Sequence, residues 1–403
     1  MNKVVITSFA RTAVGAYCGG LKTVPVEELA ALVVKEALNR SELSDMDIDG
    51  IILGHVISSA DAPNLARTAA LLNGLEGTPG LTVNRICGSG IQAIISAAQQ
   101  IQTGGGDIMV AGGAEALSRI PYYLPLSVRY EGFYRGTQEM KCSDTGCQAN
   151  AQPQQIYPAI QHMGHTAENI VAKYQISRED QDLFAYNSQM RAKDAMDSGR
   201  FAQEIIPVKI KTKKAATLFD TDEHPRPNTT IESLAKLKPV FKEGGSVTVG
   251  NSSGANDGAA ALVLMAEDKC REMGLKPLAY MTDYAITALN PHYMGLGPVS
   301  AIQKLLRKTG LQLEDIDLIE INEAFAGQML GCMKELGMYL GSHMYQRLNV
   351  NGGGISLGHP LGCSGARIAG TLVYELQLRQ GRYGIASACI GGGQGIAILI
   401  EKA

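Results

Sequence analysis

The sequence predicts an α/β protein built from two similar halves, and three observations carry that prediction. First, one unit occurs twice: PVEELAALVVKEAL (25–38) followed by SDMDIDGIILG (44–54), and PVSAIQKLLRKTG (298–310) followed by LEDIDLIEIN (313–322). Each copy reads as an amphipathic helix, an acidic turn and a buried strand. Second, CGSGIQAIISAAQQIQTGGGDIMVAGG (87–113) and GCSGARIAGTLVYELQLRQGRYGIASACIGGG (362–393) share a glycine turn, a helix, a glycine stop and a buried strand. Third, the texture changes between 119 and 250, so the repeat is interrupted there. Strands alternating with helices argue for a sheet covered on both faces. The two halves are expected to pack as a pseudo-dimer.

Taken in order, the first helix carries its apolar stripe on Val26, Leu29, Leu32 and Val33, and its counterpart carries one on Val299, Ile302, Leu305 and Leu306. The first half resumes at AAALVLMA (259–266). The expected division is 1–118 plus 251–272 for the first half, 119–250 for an inserted loop domain, and 273–403 for the second half. The insertion holds YYLPLSVRYEGFYRG, a Gln/Ala segment (QANAQPQQ), one strong helix (REDQDLFAYNSQMRAKDAM) and the Lys run VKIKTKK, read as a solvated strand face. Inserted loops of this kind often carry substrate recognition.

The chain of 403 residues is too long for one ordinary core. Its 45% hydrophobic and 19% charged residues are ordinary for a soluble globular protein. A net charge of −3 gives no general attraction to nucleic acid or an anionic membrane. No apolar run approaches the ~20 residues of a membrane span. The N-terminal MNKVVITSFARTAVG runs straight into a strand pattern without signal or transit features, which predicts a cytoplasmic protein. The eight cysteines contain no CxxC pair, so neither zinc binding nor a redox dithiol is indicated.

Cys87 lies in NRICGSG, after a short apolar segment and at the start of a helix. The positive end of a helix favours thiolate, and its free N–H groups suit an oxyanion. A buried core cysteine before a helix fits that setting equally well. His359 sits on a Gly-rich loop before the repeat-equivalent helix, which puts it across the half–half interface from Cys87, where a base for the thiol belongs. Cys389 ends a strand in ASACIGGGQGIAILI. A strand follows the glycines, so this is not a nucleotide loop; the second thiol suits acid/base work, with Gly391 as an oxyanion donor. Asn322 and Glu323 close a repeat strand at its C-terminal end, where ligands of open α/β sheets gather. Taken alone, that pair reads as a helix cap.

CGSG (87–90), GGAEALS (112–118), NSSGANDGAAA (251–261), NEAF (322–325), GHPLGCSGAR (358–367) and CIGGGQG (389–395), in this order along nearly the whole chain, resemble the thiolase family. The resemblance implies two repeated βαβαβαββ halves forming a five-layer core, with an inserted loop domain. It implies that Cys87 is the acylated nucleophile and that His359 deprotonates it and later helps hold an enolate oxygen. Cys389 would exchange the α-proton, Asn322 would hold a water in the enolate hole, and the amides of Cys87 and Gly391 would bind the acyl-side oxyanion. It further implies coenzyme A contacts at Arg226, Ser233, Leu237, Phe241 and Ser253, and an acyl pocket walled by His162, Met163, Met294 and Phe325. Core packing is the competing reading for the bulky ones.

The implied activity is reversible ping-pong condensation of two acetyl-CoA to acetoacetyl-CoA and CoA, with degradative cleavage of longer 3-ketoacyl-CoA as the alternative. Coenzyme A thioesters are then substrates; no cofactor or metal is required, and the assembly expected is a homodimer or homotetramer. The segment 119–161, with Cys142 and Cys147, does not resemble the family's cover loop. A decarboxylating ketoacyl synthase has no need of the second thiol. A silent CoA-binding module or a dinucleotide oxidoreductase has no need of Cys87, His359, Cys389 and Asn322 together.

Overall fold

The structure, a computed structural model, describes residues 2–43, 48–133, 137, 139–157, 162–211 and 216–403. The start of the first acidic turn (44–47), the end of the Tyr-rich stretch (134–136) and the end of the Lys run (212–214) lie outside the described residues.

The first half comprises β1 (Val4–Thr12), α1 (Val26–Arg40), β2 (Gly50–Gly54), α2 (Leu65–Leu72), β3 (Gly80–Val83), α3 (Ser89–Gln102) and β4 (Ile108–Ala116). The insertion contributes α4 (Ser143–Asn150), α5 (Met163–Tyr174) and α6 (Arg178–Asp197), after which β5 (Asn256–Ala266) completes the first half. The second half follows as β6 (Ala279–Ala288), α7 (Gly297–Thr309), β7 (Leu318–Ile321), α8 (Ala326–Glu335), α9 (Leu361–Arg379), β8 (Tyr383–Ile390) and β9 (Gln394–Lys402).

The strand order is β7-β8-β9-β6-β1-β5-β4-β2-β3. Read outward from the middle, each half repeats one plan. β1-β5-β4-β2 and β6-β9-β8-β7 both run antiparallel, antiparallel, parallel. The halves join through two residue pairs, Val5 with Tyr280 and Ile6 with Ala279. This is the repeat expected from the sequence.

Strand periodicity explains the layering. On β5, Ala260, Leu262 and Leu264 face a core shared with α3 and α9, while Ala259, Ala261, Val263 and Met265 face α1 and α2. On β9, Ile396, Ile398 and Ile400 face the same shared core, and Ala397 and Leu399 face α7 and α8. Strands of both halves thus pack on one central helix pair, with further helices outside each half: five layers. Strands buried on both faces read as continuous apolar runs, which is why AAALVLMA shows no alternation.

In the insertion, α6 is capped by Ser177, whose hydroxyl accepts from the Asp180 amide at 3.0 Å. The insertion is tied to β1 by a fully buried guanidinium: Arg11 donates to Glu204 at 2.8 Å and to both Asp222 oxygens at 2.8 and 2.9 Å. Among the described residues no helix is long and apolar enough to cross a membrane.

Candidate active site

The site is built where α3 and α9 cross. A Cβ on Gly90 would lie 2.5 Å from the Ala366 nitrogen, and one on Gly365 would lie 2.5 Å from the Ile91 nitrogen. Glycine at both positions therefore lets the two helices touch backbone to backbone. That contact brings their N-terminal ends together, and with them Cys87 and His359, which line the same cavity of about 200 Å³.

Cys87 is presented by a strained turn. Ile86, a β-branched residue, holds φ at +45°. Its N–H donates to Asn84 Oδ1 at 2.9 Å and its carbonyl accepts from Ser89 Oγ at 2.7 Å, while Ser89 Oγ also accepts the Arg85 amide at 2.8 Å. These bonds hold the conformation that aims the thiol into the cavity. Burial pushes the Cys87 thiol up to about 12, opposed by hydrogen bonds from the backbone N–H groups of Gly391 and of Cys87 itself. The backbone N–H groups of Gly391 and Cys87 thus lie beside the sulfur.

His359 is set by a different device. Gly358 holds φ at +96°, and a Cβ there would fall 2.5 Å from the Asn256 side chain. Asn256 Oδ1 accepts the His359 amide at 2.9 Å. The Nδ1 of His359 lies 2.6 Å from Ser364 Oγ, and that hydroxyl donates to the Pro360 carbonyl at 2.9 Å. With the one Ser364 proton given to Pro360, Ser364 accepts from Nδ1–H, the tautomer that leaves the lone pair on Nε2 as a base requires. The Asn322 amide nitrogen stands 3.4 Å from Nε2. Burial, with a smaller contribution from Arg367, pulls the imidazole down to about 4, so it is neutral near pH 7.

Cys389 is fully buried among Met294, Ala324 and Phe325, with Met163 packed against them. Burial, then the neighbouring Cys87 and Cys332 sulfurs, raise its thiol well above the ordinary range. Asn322 is buried and its Oδ1 has no partner among the described residues, leaving one acceptor ready for a water or a ligand. Glu323 instead holds the surrounding loops together, accepting from Ser188 Oγ (2.6 Å), Asn349 Nδ2 (2.8 Å) and the Ile355 amide (3.3 Å).

Gly391, His162, Met163, Met294, Phe325, Phe241 and Ser253 line the cavity with Cys87 and His359. Arg226, Ser233 and Leu237 line a second cavity of about 370 Å³, beside Asn228 and Gly250. The sequence pattern groups Phe241 with Ser233 and Leu237, whereas it stands on the catalytic side. Sequence reasoning also misses Asn256, Ser364 and the α4 side chains Asp144, Cys147 and Gln148, of which the last three face the cavity. A serine five residues after the histidine, at the start of a helix, is the one available signal.

Residues 4–268 match the family description "Thiolase, N-terminal domain" and residues 275–402 match "Thiolase, C-terminal domain". The chain belongs to the thiolase family. This thiolase is 46% identical to an acetyl-CoA acetyltransferase of Chromobacterium violaceum, over 99% of this chain and 100% of that one. The crystal structure of the Bacillus anthracis acetyl-CoA acetyltransferase superposes with a TM-score of 0.93 at 45% identity, covering 100% and 99% of the two chains. Human mitochondrial 3-ketoacyl-CoA thiolase in complex with CoA superposes with a TM-score of 0.91 at 42% identity, covering 100% and 98%. The protein is therefore an acyltransferase with thiolase activity and the thiolase-like α/β fold.

Proposed function

We propose that this thiolase is an acetyl-CoA C-acetyltransferase, interconverting two acetyl-CoA with acetoacetyl-CoA and CoA. The observation that carries the mechanism is the convergence of Cys87, a neutral His359 and Gly391 on one cavity, with Asn322 beside His359 and Cys389 packed against the lining residues Met294, Ala324 and Phe325. Cys87 attacks the thioester carbonyl while its proton passes to His359 Nε2. The amides of Cys87 and Gly391 take the negative oxygen. Collapse expels CoA, which leaves with the proton of the Cys389 thiol, while His359 keeps the proton of Cys87 and the acetyl group stays on Cys87. The Cys389 thiolate so formed takes the α-proton of a second acetyl-CoA. The resulting enolate oxygen is held by the protonated His359 and by a water on Asn322, and its carbon attacks the acetyl-cysteine to give acetoacetyl-CoA, the expelled Cys87 sulfur recovering its proton from His359. In reverse, the Cys389 thiol protonates the departing enolate carbon, a role suited to a sulfur kept protonated at rest.

Coenzyme A takes the second cavity, with Arg226 against its anionic end and Ser233 and Leu237 along its length. Ser253 and Phe241 guide the pantetheine toward Cys87. His162, Met163, Met294 and Phe325 wall the acyl group. The insertion 119–250 acts as the loop domain that shapes this site. Exposed Leu71, Leu72 and Leu81 around the edge strand β3 suit pairing with a second copy, in a homodimer or homotetramer.

The second reading is degradative cleavage of longer 3-ketoacyl-CoA, favoured by the similarity to the human enzyme. Thiolysis of acetoacetyl-CoA and of longer 3-ketoacyl-CoA, followed by loss of enolate absorbance, decides between them. Preference for acetoacetyl-CoA supports the first reading, and preference for the longer chain the second.

A further inference from the structure

Helix α4 puts the one carboxylate among the described lining residues into a largely apolar cavity. Asp144, Cys147 and Gln148 are spaced i, i+3, i+4, so they share a helix face, and all three line the cavity of Cys87. Gln148 clamps that face: its Nε2 donates to Asp144 Oδ2 at 3.0 Å, and its Oε1 accepts the Met163 amide at 3.2 Å. Met163 opens α5 and lines the cavity too, so the wall is fastened to the site it encloses. Phe241 and Ser253 line this cavity four and three residues along the chain from Leu237 and Gly250, which line the second cavity. Ile86, Leu117, Leu361 and Cys147 line it too and pack into a separate apolar cluster, and Asp144, one turn from Cys147 on α4, faces the same cavity.

We propose that Asp144 is the chain-length stop of this thiolase, admitting acetyl and acetoacetyl groups and turning away longer alkyl chains. The proposal rests on the acetyl-CoA reading given above. An alkyl chain growing from Cys87, away from the CoA side, meets a half-buried carboxylate already committed to Gln148. Pressing methylenes onto it strips its remaining water and returns no hydrogen bond.

The test is the ratio of kcat/KM for thiolysis of 3-ketooctanoyl-CoA to that for acetoacetyl-CoA. It is measured for wild type, Asp144→Ala and Asp144→Asn. An internal ratio is insensitive to a partial loss of folded enzyme. Removing both charge and bulk in Asp144→Ala raises the ratio by about tenfold or more, and Asp144→Asn, which keeps the bulk, raises it by less. A ratio unchanged within about twofold in the Ala variant overturns the proposal. A wild-type enzyme faster on 3-ketooctanoyl-CoA contradicts the acetyl-CoA reading instead, and the change on Asp144→Ala still decides for or against the stop.

Discussion

Cys87 and His359 face one cavity as two neutral groups. Burial holds the thiol at about 12 and the imidazole at about 4, so the resting pair is not a thiolate and an imidazolium. In the proposed mechanism the proton moves only as the thioester carbonyl is attacked and the Cys87 and Gly391 amides gain an oxyanion to hold. A pH consequence follows from the sign of the histidine shift. With the imidazole depressed below 6.5, protonation that would disable it as a base comes only as pH falls toward about 4. The acid limb of kcat/KM, which reports the free enzyme, is therefore expected close to that value in a pH–rate profile. An acid limb near 6.5 would mean that the ring is solvated and not held as described. The same depression means that His359 adds to acid lability. Between pH 6.5 and about 4 the unfolded chain binds the proton and the folded one does not, so stability falls as pH falls through that window.

At the scale of elements, the crossing of α3 and α9 decides the geometry. Gly365→Val forces a side chain into the 2.5 Å gap to the Ile91 nitrogen and must push the helices apart. The expected cost is about 1–3 kcal/mol in denaturant unfolding, with a fall in kcat beyond what lost folded protein explains. The duplication also sets the two copies apart. Cys87 in CGSG corresponds to Gly362 in GCSG. At the second position the Gly362 amide is satisfied by the Glu115 carboxylate at 3.0 Å, which also accepts from the Val56 (3.0 Å) and Ile57 (3.2 Å) amides. A fixed internal anion fills there the place that the proposed mechanism gives to substrate at Cys87.

The repeated helices and strands were legible because burial on defined faces imposes periodicity. The cysteine and histidine loops were legible because glycines flank them at helix starts. Helix α4 was not: KCSDTGCQAN has no apolar period, and its capture depends on Gln148 reaching the Met163 amide. The Asn256 contact to His359 spans 103 residues and arises only from tertiary approach.

Across the whole molecule, the insertion is fastened to the duplicated core by buried charge. Arg11, on a central strand, meets Glu204 and Asp222 from the insertion with all three side chains inaccessible. Arg11→Met leaves the buried Asp222 without its cation and Glu204 with Arg200 alone, so a loss of about 3–5 kcal/mol is expected in urea unfolding. Activity should fall with it, because His162, Met163 and Phe241 reach the cavity from that insertion. A change under about 1 kcal/mol would show that the insertion is held elsewhere. The fold class was readable at this scale from motif order and repetition, whereas the Arg11 anchor was not, since its partners lie 193 and 211 residues away.

The most direct test of a Cys87 acyl-enzyme is acid-quenched mass mapping after brief exposure to acetyl-CoA, run on wild type, Cys87→Ala and Cys389→Ala. The expected result is one acetyl group on the Cys87 peptide of the wild type and none in Cys87→Ala. Cys389→Ala should still be acetylated on Cys87 while its thiolysis of acetoacetyl-CoA falls by about two to four orders of magnitude. Acetylation of a different residue, or turnover that survives Cys87→Ala, would contradict Cys87 as the nucleophile.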